Sequence, residues 1–132
     1  MALVHIVAAI ALLQFIVFAM AVGWARTKFG VKAPATTGHE VFERYFRVQM
    51  NTLELLVVFL PSLWLFATYV SPRWAAGLGA LYVIGRILYF RSYIRDPASR
   101  SAGFGLSFLP TIALLLGGLG GAVYCLIRNG AV

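Results

Sequence analysis

The chain has little of what a soluble or disulfide-bonded protein needs. Of its 132 residues only 11% are charged, and there is a single cysteine. Cys125 cannot form an internal disulfide, and no His or Cys lies near it at the spacing of a metal site. Acidic residues are scarce as well, four against eleven lysines and arginines. With no metal, nucleotide or haem signature in the sequence, no metal site and no such cofactor are predicted.

Hydrophobic residues dominate instead. They make up 61% of the chain, and the mean hydropathy of +0.88 is typical of an integral membrane protein rather than of a soluble domain. The net charge of +7 and the pI near 10.2 could also suit a nucleic-acid-binding protein. That class is disfavoured because the basic residues are few and lie beside apolar stretches rather than forming a solvated stripe.

Four apolar stretches come close to the length of about 20 residues that a helix needs to cross a bilayer. They predict helices over about residues 3–25, 39–70, 73–95 and 103–128. The connectors are short and rich in Gly, Pro and Ser, so successive helices should be antiparallel neighbours. The sequence therefore predicts an all-α, integral membrane four-helix bundle that forms one domain over residues 1–132.

Two details of the helices follow from local sequence. The first stretch has no basic leader and is longer than the apolar part of a signal peptide, so it is predicted to be a retained helix. Pro61 lies inside the second helix and is predicted to kink or interrupt it, because proline lacks a backbone N–H.

The positions of Lys and Arg predict how the chain is oriented. Most basic residues lie at the first and third connectors, and Arg73 and Arg128 alone fall on the other side. By the positive-inside rule, connectors one and three are predicted to be cytoplasmic and both termini to lie on the opposite side.

The segment E-R-Y-F-R-V-Q-M-N-T-L-E, residues 43–54, places charged and amide side chains at the mouth of the second span. Such side chains are costly at membrane depth and indicate a functional site. Helical spacing puts Arg47, Asn51 and Glu54 on one face, whereas Gln49 is turned by about 200° from Arg47. Gln49 is therefore predicted to face a different helix or subunit.

The third helix carries a second polar stripe. Tyr82, Arg86, Tyr89 and Tyr93 repeat at helical spacing and end near the same boundary. Arginines at helix ends can simply reach the lipid phosphates, and tyrosines commonly form aromatic belts at the membrane surface. A purely structural polar network is the alternative for the residues inside the spans. The excess of cations over carboxylates favours an anionic ligand.

Three sequence segments together resemble one known family. Besides residues 43–54, they are G-L-G-A-L-Y-V-I-G-R-I-L-Y-F-R-S-Y at residues 77–93 and T-T-G-H-E at residues 36–40. These segments resemble the membrane-associated proteins in eicosanoid and glutathione metabolism (MAPEG), especially the microsomal glutathione transferase branch.

This resemblance implies a homotrimer that binds glutathione between neighbouring subunits near the cytoplasmic side, with a lipophilic electrophile or lipid substrate arriving from the bilayer. It implies that Arg100 is the catalytic residue that holds the glutathione thiol as a thiolate. The implied glutathione-binding residues are Arg26, Arg47, Gln49, Asn51, Glu54, Arg86, Tyr89 and Tyr93.

The chemistry of glutathione fits these residue types. Arg26, Arg47 and Arg86 could hold its two carboxylates, and Glu54 its ammonium group. A cation such as Arg100 beside the sulfur lowers the pKa of the thiol and raises the thiolate fraction. The expected function is a membrane-bound glutathione transferase acting on lipophilic electrophiles, with glutathione peroxidase activity toward lipid hydroperoxides also open.

Two positions depart from the pattern of the family. Leu55 stands where several members have a tyrosine, and Thr27 follows Arg26 where leukotriene C synthases have a second arginine. The second departure disfavours a leukotriene synthase, while the retained arginines disfavour the non-enzymatic activating-protein branch.

Two other classes of function are alternatives to a transferase. One is a non-catalytic glutathione- or lipid-binding membrane protein of the same fold. The other is a small multidrug transporter, which is disfavoured because the first span contains no acidic residue for proton coupling.

Overall fold

The computed structural model describes residues 1–130 of the chain, so the last two residues of the predicted domain lie outside the described range. Its elements are α1 (Ala2–Phe29), α2 (Glu40–Tyr69), α3 (Pro72–Arg95) and α4 (Ser101–Asn129), with a short 3-10 helix at Pro97–Ser99. Residues 1–130 contain no β-strand. The prediction of an all-helical chain with four helices is confirmed.

Local sequence signals explain where the helices begin and end. The His39 side chain accepts a hydrogen bond from the Val41 backbone N–H at 3.1 Å and caps α2. Ser71 caps α3 in the same manner, with Pro72 in the first turn. Helix α1 continues past the predicted end near residue 25, because no stop signal occurs before Gly30, which adopts a left-handed φ of 69°.

Three segments are long and apolar enough to cross a membrane: Ala2–Phe29, Glu40–Tyr69 and Pro97–Asn129. The fourth span over residues 73–95 stays a prediction. Its arginines, together with its glycines and tyrosines, make α3 too polar to meet the same criterion. One of these arginines, Arg86, is fully buried among the other helices rather than turned outward.

The centre of the bundle is an apolar core that joins all four helices. Phe59 and Tyr82 stack with ring centroids 3.8 Å apart, and Val4, Leu63 and Leu114 pack in the same cluster. Many large apolar side chains point outward instead, especially along α1. Exposure of that much apolar surface fits a chain whose outer face is covered by lipid.

Helix α2 runs through Pro61 without interruption, so the predicted break is absent.

Helices α3 and α4 touch through their backbones near the polar end of the bundle. A Cβ added at Gly85 would lie 2.5 Å from the backbone N of Ser107, and one at Gly103 would fall on the backbone of Tyr89. Only glycine permits so close an approach. The contact places Tyr89 directly against the first turns of α4.

The last turn of α3 is held by an arginine from α2. Arg44 Nη1 donates to the carbonyl oxygens of Ile94 and Arg95 at 3.0 and 3.3 Å, and its Nη2 lies 2.8 Å from Glu40 Oε1. The carbonyls at a helix C-terminus have no partners within the helix and carry partial negative charge. Arg44 therefore serves as a cap for α3 from a neighbouring helix.

We expect Arg44→Met to loosen the end of α3. The loss of charged hydrogen bonds to two terminal carbonyls should cost about 1–2 kcal/mol of local stability. Hydrogen–deuterium exchange would then be faster at the amides of residues 92–96. Arg91→Met removes an exposed arginine of α3 itself and is the matched control. Equal exchange in the two variants would show that Arg44 is not a cap.

Candidate functional site

A polar cavity of about 580 Å³ lies between α2, α3 and the start of α4. It brings together predicted site residues from separate parts of the chain: Arg47, Asn51, Tyr89, Tyr93 and Arg100. Three further lining residues were missed by sequence reasoning: Ser101, Phe104 and Gly105. They form the first turns of α4, and the D-P-A-S turn just before them is the only sequence signal that pointed there.

The charge around this cavity is positive. Arg47 and Arg100 both line it, and among the described residues no carboxylate does. The N-terminus of α4 adds the partial positive charge of a helix dipole. Arg100 is exposed, and its Nη1 donates to the Pro97 carbonyl at 3.0 Å, which holds it beside the cavity. The cavity therefore suits an anion.

A second polar cavity of about 410 Å³ adjoins the first and shares Arg47 and Tyr93 with it. Its other lining residues come from the first connector, the start of α2 and the short 3-10 helix: Thr36, Glu40, Glu43, Arg44, Phe46 and Pro97. Unlike the first cavity, it has carboxylates in its wall. Together the two cavities form one polar groove. The first has arginines in its wall, and the second has both arginines and glutamates.

Arg47 and Glu54 lie on the same face of α2, as their spacing predicts. Arg47 Nη1 is 3.5 Å from Glu54 Oε1, and the two side chains are 54% and 58% exposed in the single chain. An exposed ion pair of this length contributes little to stability. Either side chain can therefore leave this ion pair and bind a ligand instead.

Arg86 does not line the cavity. Its guanidinium is fully buried and donates to Ser107, Asn51 and Thr52, and it lies 4.3 Å above the ring of Tyr89. Its hydrogen bonds go to protein groups inside the bundle, so the structure does not place Arg86 in the cavity wall with the predicted site residues that line it. Sequence reasoning missed Ser107 and Thr52, since a hydroxyl in an apolar helix gives no distinct signal.

Arg26 and Gln49 also lie away from the cavity. Arg26 Nη1 donates to the carbonyls of Ala35 and Val31 at 2.7 and 3.4 Å, and its guanidinium lies 4.8 Å above the Phe42 ring. Gln49 is half-buried and follows Phe42 by seven residues, which puts both on one face of α2. Within one chain these two predicted residues are thus on the side of α1, separate from Arg47 and Arg100.

The MAPEG family model matches residues 3–120 of the chain, which include every residue that lines the first cavity. The chain belongs to the MAPEG family. This confirms the family predicted from the sequence.

Curated relatives extend the MAPEG match. An uncharacterized protein of Synechocystis sp. is 49% identical over 114 residues, 86% of this chain and 83% of that one. Microsomal glutathione S-transferase 2 of Homo sapiens is 42% identical over 104 residues, 78% of this chain and 71% of that one. Leukotriene C4 synthase of Bos taurus is 38% identical over 85 residues, 64% of this chain and 57% of that one. The relatives of this MAPEG chain thus include proteins named microsomal glutathione S-transferase 2 and leukotriene C4 synthase.

Proposed function

We propose that this MAPEG protein is a membrane-bound glutathione transferase that activates glutathione as a thiolate and conjugates it to lipophilic electrophiles. The observation that carries the proposal is the 580 Å³ cavity, where two arginines, two tyrosines and an asparagine meet and no carboxylate of residues 1–130 lines the wall. Such a cavity is large enough for a tripeptide and suits one with a net negative charge. The names of the relatives favour glutathione as that tripeptide.

The ligand groups can be assigned by charge. Arg47 is an exposed cation of the cavity wall and would bind a glutathione carboxylate, replacing its weak pair with Glu54. Glu54, once released, would take the ammonium group. Tyr89 and Tyr93 would supply neutral donors to the peptide part, and Arg100, which lines the same cavity, would stabilise the thiol as a thiolate.

We further propose that the site is completed in a homotrimer. Arg47 and Glu54 are exposed on one side of the chain, while Arg26 and Gln49 lie on another. A neighbouring subunit that presented Arg26 and Gln49 to the exposed face would close the site around the ligand. The basic residues at connectors one and three favour an orientation with this site in the cytoplasm and both termini on the opposite side.

An apolar groove supports a lipophilic co-substrate. It has a volume of about 550 Å³ and shares Ser101 and Gly105 with the polar cavity. Its remaining walls are almost entirely aliphatic: Leu78, Leu81, Ala102, Leu106, Leu109, Pro110 and Ala113. In the reaction, the thiolate sulfur forms a bond to an electrophilic carbon. Either a leaving group departs with its electron pair, or an oxygen-containing ring opens and its oxygen takes a proton.

The test is an assay of the purified full-length chain in lipid nanodiscs with glutathione and chlorodinitrobenzene. Conjugation forms the carbon–sulfur bond and releases chloride, and it is the expected result. Binding of glutathione without conjugation would favour the non-catalytic alternative. Reduction of a lipid hydroperoxide, measured in parallel, determines whether the protein also has peroxidase activity.

We expect Arg47→Ala to raise the KM for glutathione about tenfold, because a charge-assisted bond to a carboxylate is lost. The kcat should change by less than the KM, since Arg47 does not contact the sulfur in this assignment. Arg73→Ala removes an exposed arginine from the other end of the bundle and should leave both constants unchanged. An unaltered KM in Arg47→Ala would remove Arg47 from the binding site.

A further inference from the structure

The buried guanidinium of Arg86 is surrounded by neutral oxygen atoms from two other helices. Its Nε and Nη2 donate to Ser107 Oγ at 3.0 and 2.7 Å, and its Nη1 donates to Asn51 Oδ1 at 2.7 Å and to Thr52 Oγ1 at 3.3 Å. A buried charge is tolerated only when its hydrogen-bonding groups are satisfied. These oxygens therefore fix the position of the guanidinium between α2, α3 and α4.

The two hydroxyl groups can act only as acceptors toward Arg86. The Ser107 hydroxyl donates within α4, where the carbonyl oxygens of Gly103 and Phe104 both lie 3.0 Å from Oγ, and the Thr52 hydroxyl donates to the carbonyl oxygen of Val48 at 2.7 Å. A hydroxyl has one hydrogen and two lone pairs. With each hydrogen bonded to its own helix, the lone pairs remain for the guanidinium.

The orientation of the Asn51 amide follows. A guanidinium has donors and no acceptor, so the oxygen of the amide must face Arg86 and the NH₂ group must face away from it. Asn51 also lines the polar cavity. Its NH₂ group is therefore available there as a hydrogen-bond donor, whereas an unrestrained amide could present either end.

We propose that Arg86 and Ser107 are positioning residues, which hold Asn51 so that it donates a hydrogen bond to a carboxylate or carbonyl oxygen of glutathione. Neither residue contacts the ligand itself. The identity of the ligand rests on the proposed function, while the orientation of Asn51 rests on the buried contacts alone. Arg86 thus acts through Asn51 rather than as a clamp for a carboxylate.

Nuclear magnetic resonance tests the orientation without any ligand. The chain has two asparagines, Asn51 and Asn129, so labelling with ¹⁵N-asparagine gives one NH₂ signal pair at the cavity and one reference pair at the end of α4. Ser107→Ala should shift the Asn51 pair and speed its hydrogen exchange, while the Asn129 pair stays unchanged. An unchanged Asn51 pair would overturn the proposal.

Thr111→Ala is the matched control. Thr111 is as buried as Ser107 and lies one turn further along α4, but its hydroxyl bonds only the Ser107 backbone carbonyl, at 2.8 Å. Its removal should leave the Asn51 signals in place. If Ser107→Ala does not fold, Ser107→Cys keeps the size of the side chain with a much weaker acceptor and is measured in the same way.

Kinetics test the effect on the ligand. Ser107→Ala should raise the KM for glutathione about tenfold while kcat changes by less than about twofold, since the sulfur is not touched. In Asn51→Asp the carboxylate still accepts from Arg86, yet the donor is lost and a negative charge faces the ligand. We expect its KM to rise at least as much, with no fall in Tm.

The outcomes separate the two proposals. An unchanged KM in Ser107→Ala, or binding by Asn51→Asp equal to that of the wild type, would overturn the positioning role. A wild-type protein without affinity for glutathione would overturn the proposed function and the assigned ligand. The Asn51 signals would still decide whether Ser107 and Arg86 hold that side chain.

Discussion

Replacement of Arg100 by alanine is expected to lower kcat/KM for conjugation at pH 7 by about 10- to 30-fold. Arg100 lines the polar cavity and is exposed there, beside the position assigned to the thiol. Without a neighbouring cation the thiol would return to a pKa of about 8.5, at which only about 3% is ionised at pH 7. The lost rate reflects this smaller fraction, partly offset by the greater nucleophilicity of the more basic thiolate.

The loss of Arg100 should also change how kcat/KM depends on pH. Loss of the cation raises the pKa of the bound thiol, so the variant should regain activity as the pH rises through about 8.5. The wild type should already be near its plateau at pH 7. Arg100→Lys keeps the charge and should retain most of the activity at neutral pH. A pH profile of kcat/KM for Arg100→Ala that matches the wild type would remove Arg100 from the chemistry.

Gly103→Ala should destabilise the bundle by about 3 kcal/mol or more. The new methyl group would fall on the backbone of Tyr89, and a backbone cannot move aside as a side chain can. Helices α3 and α4 would have to separate, which would also withdraw Tyr89 from the polar cavity. The expected result is therefore a loss of both stability and glutathione affinity.

Gly120→Ala provides the control for that experiment. Gly120 lies in the same helix, and among residues 1–130 a Cβ there would meet no atom within 4 Å apart from its chain neighbours and the nearby backbone of its own helix. This variant should be neutral or more stable by about 0.5–1 kcal/mol, because alanine favours a helix more than glycine does. Thermal unfolding in nanodiscs compares the two. Equal stability of Gly103→Ala and the wild type would contradict the close contact of α3 and α4.

The helices could be predicted from the sequence because long apolar stretches and short connectors leave few alternatives. The surroundings of the polar residues in α3 could not be predicted. The sequence predicted a polar stripe along the third helix that includes Arg86, whereas the structure buries Arg86 fully inside the bundle. A hydropathy pattern does not show which neighbour receives a buried charge.

The composition of the polar cavity was predictable in part. Helical spacing put Arg47 and Asn51 on one face of α2 and Tyr89 and Tyr93 in one stripe on α3, and the resemblance to the family added Arg100. The structure places all five around the same cavity. The hydroxyl groups that bond Arg86 were not predictable, since Ser and Thr occur throughout apolar helices for other reasons. Nor does one chain show what Arg26 and Gln49 would contact in a trimer.

The most direct test of the account is the ultraviolet absorbance of the glutathione thiolate, measured during a pH titration of the wild-type chain in nanodiscs with bound glutathione. We expect the thiolate signal to be present already at neutral pH, with a midpoint well below the value of about 8.5 for a free thiol. Absence of the signal at neutral pH, or a midpoint equal to that of free glutathione, would contradict the claim that this cavity activates glutathione.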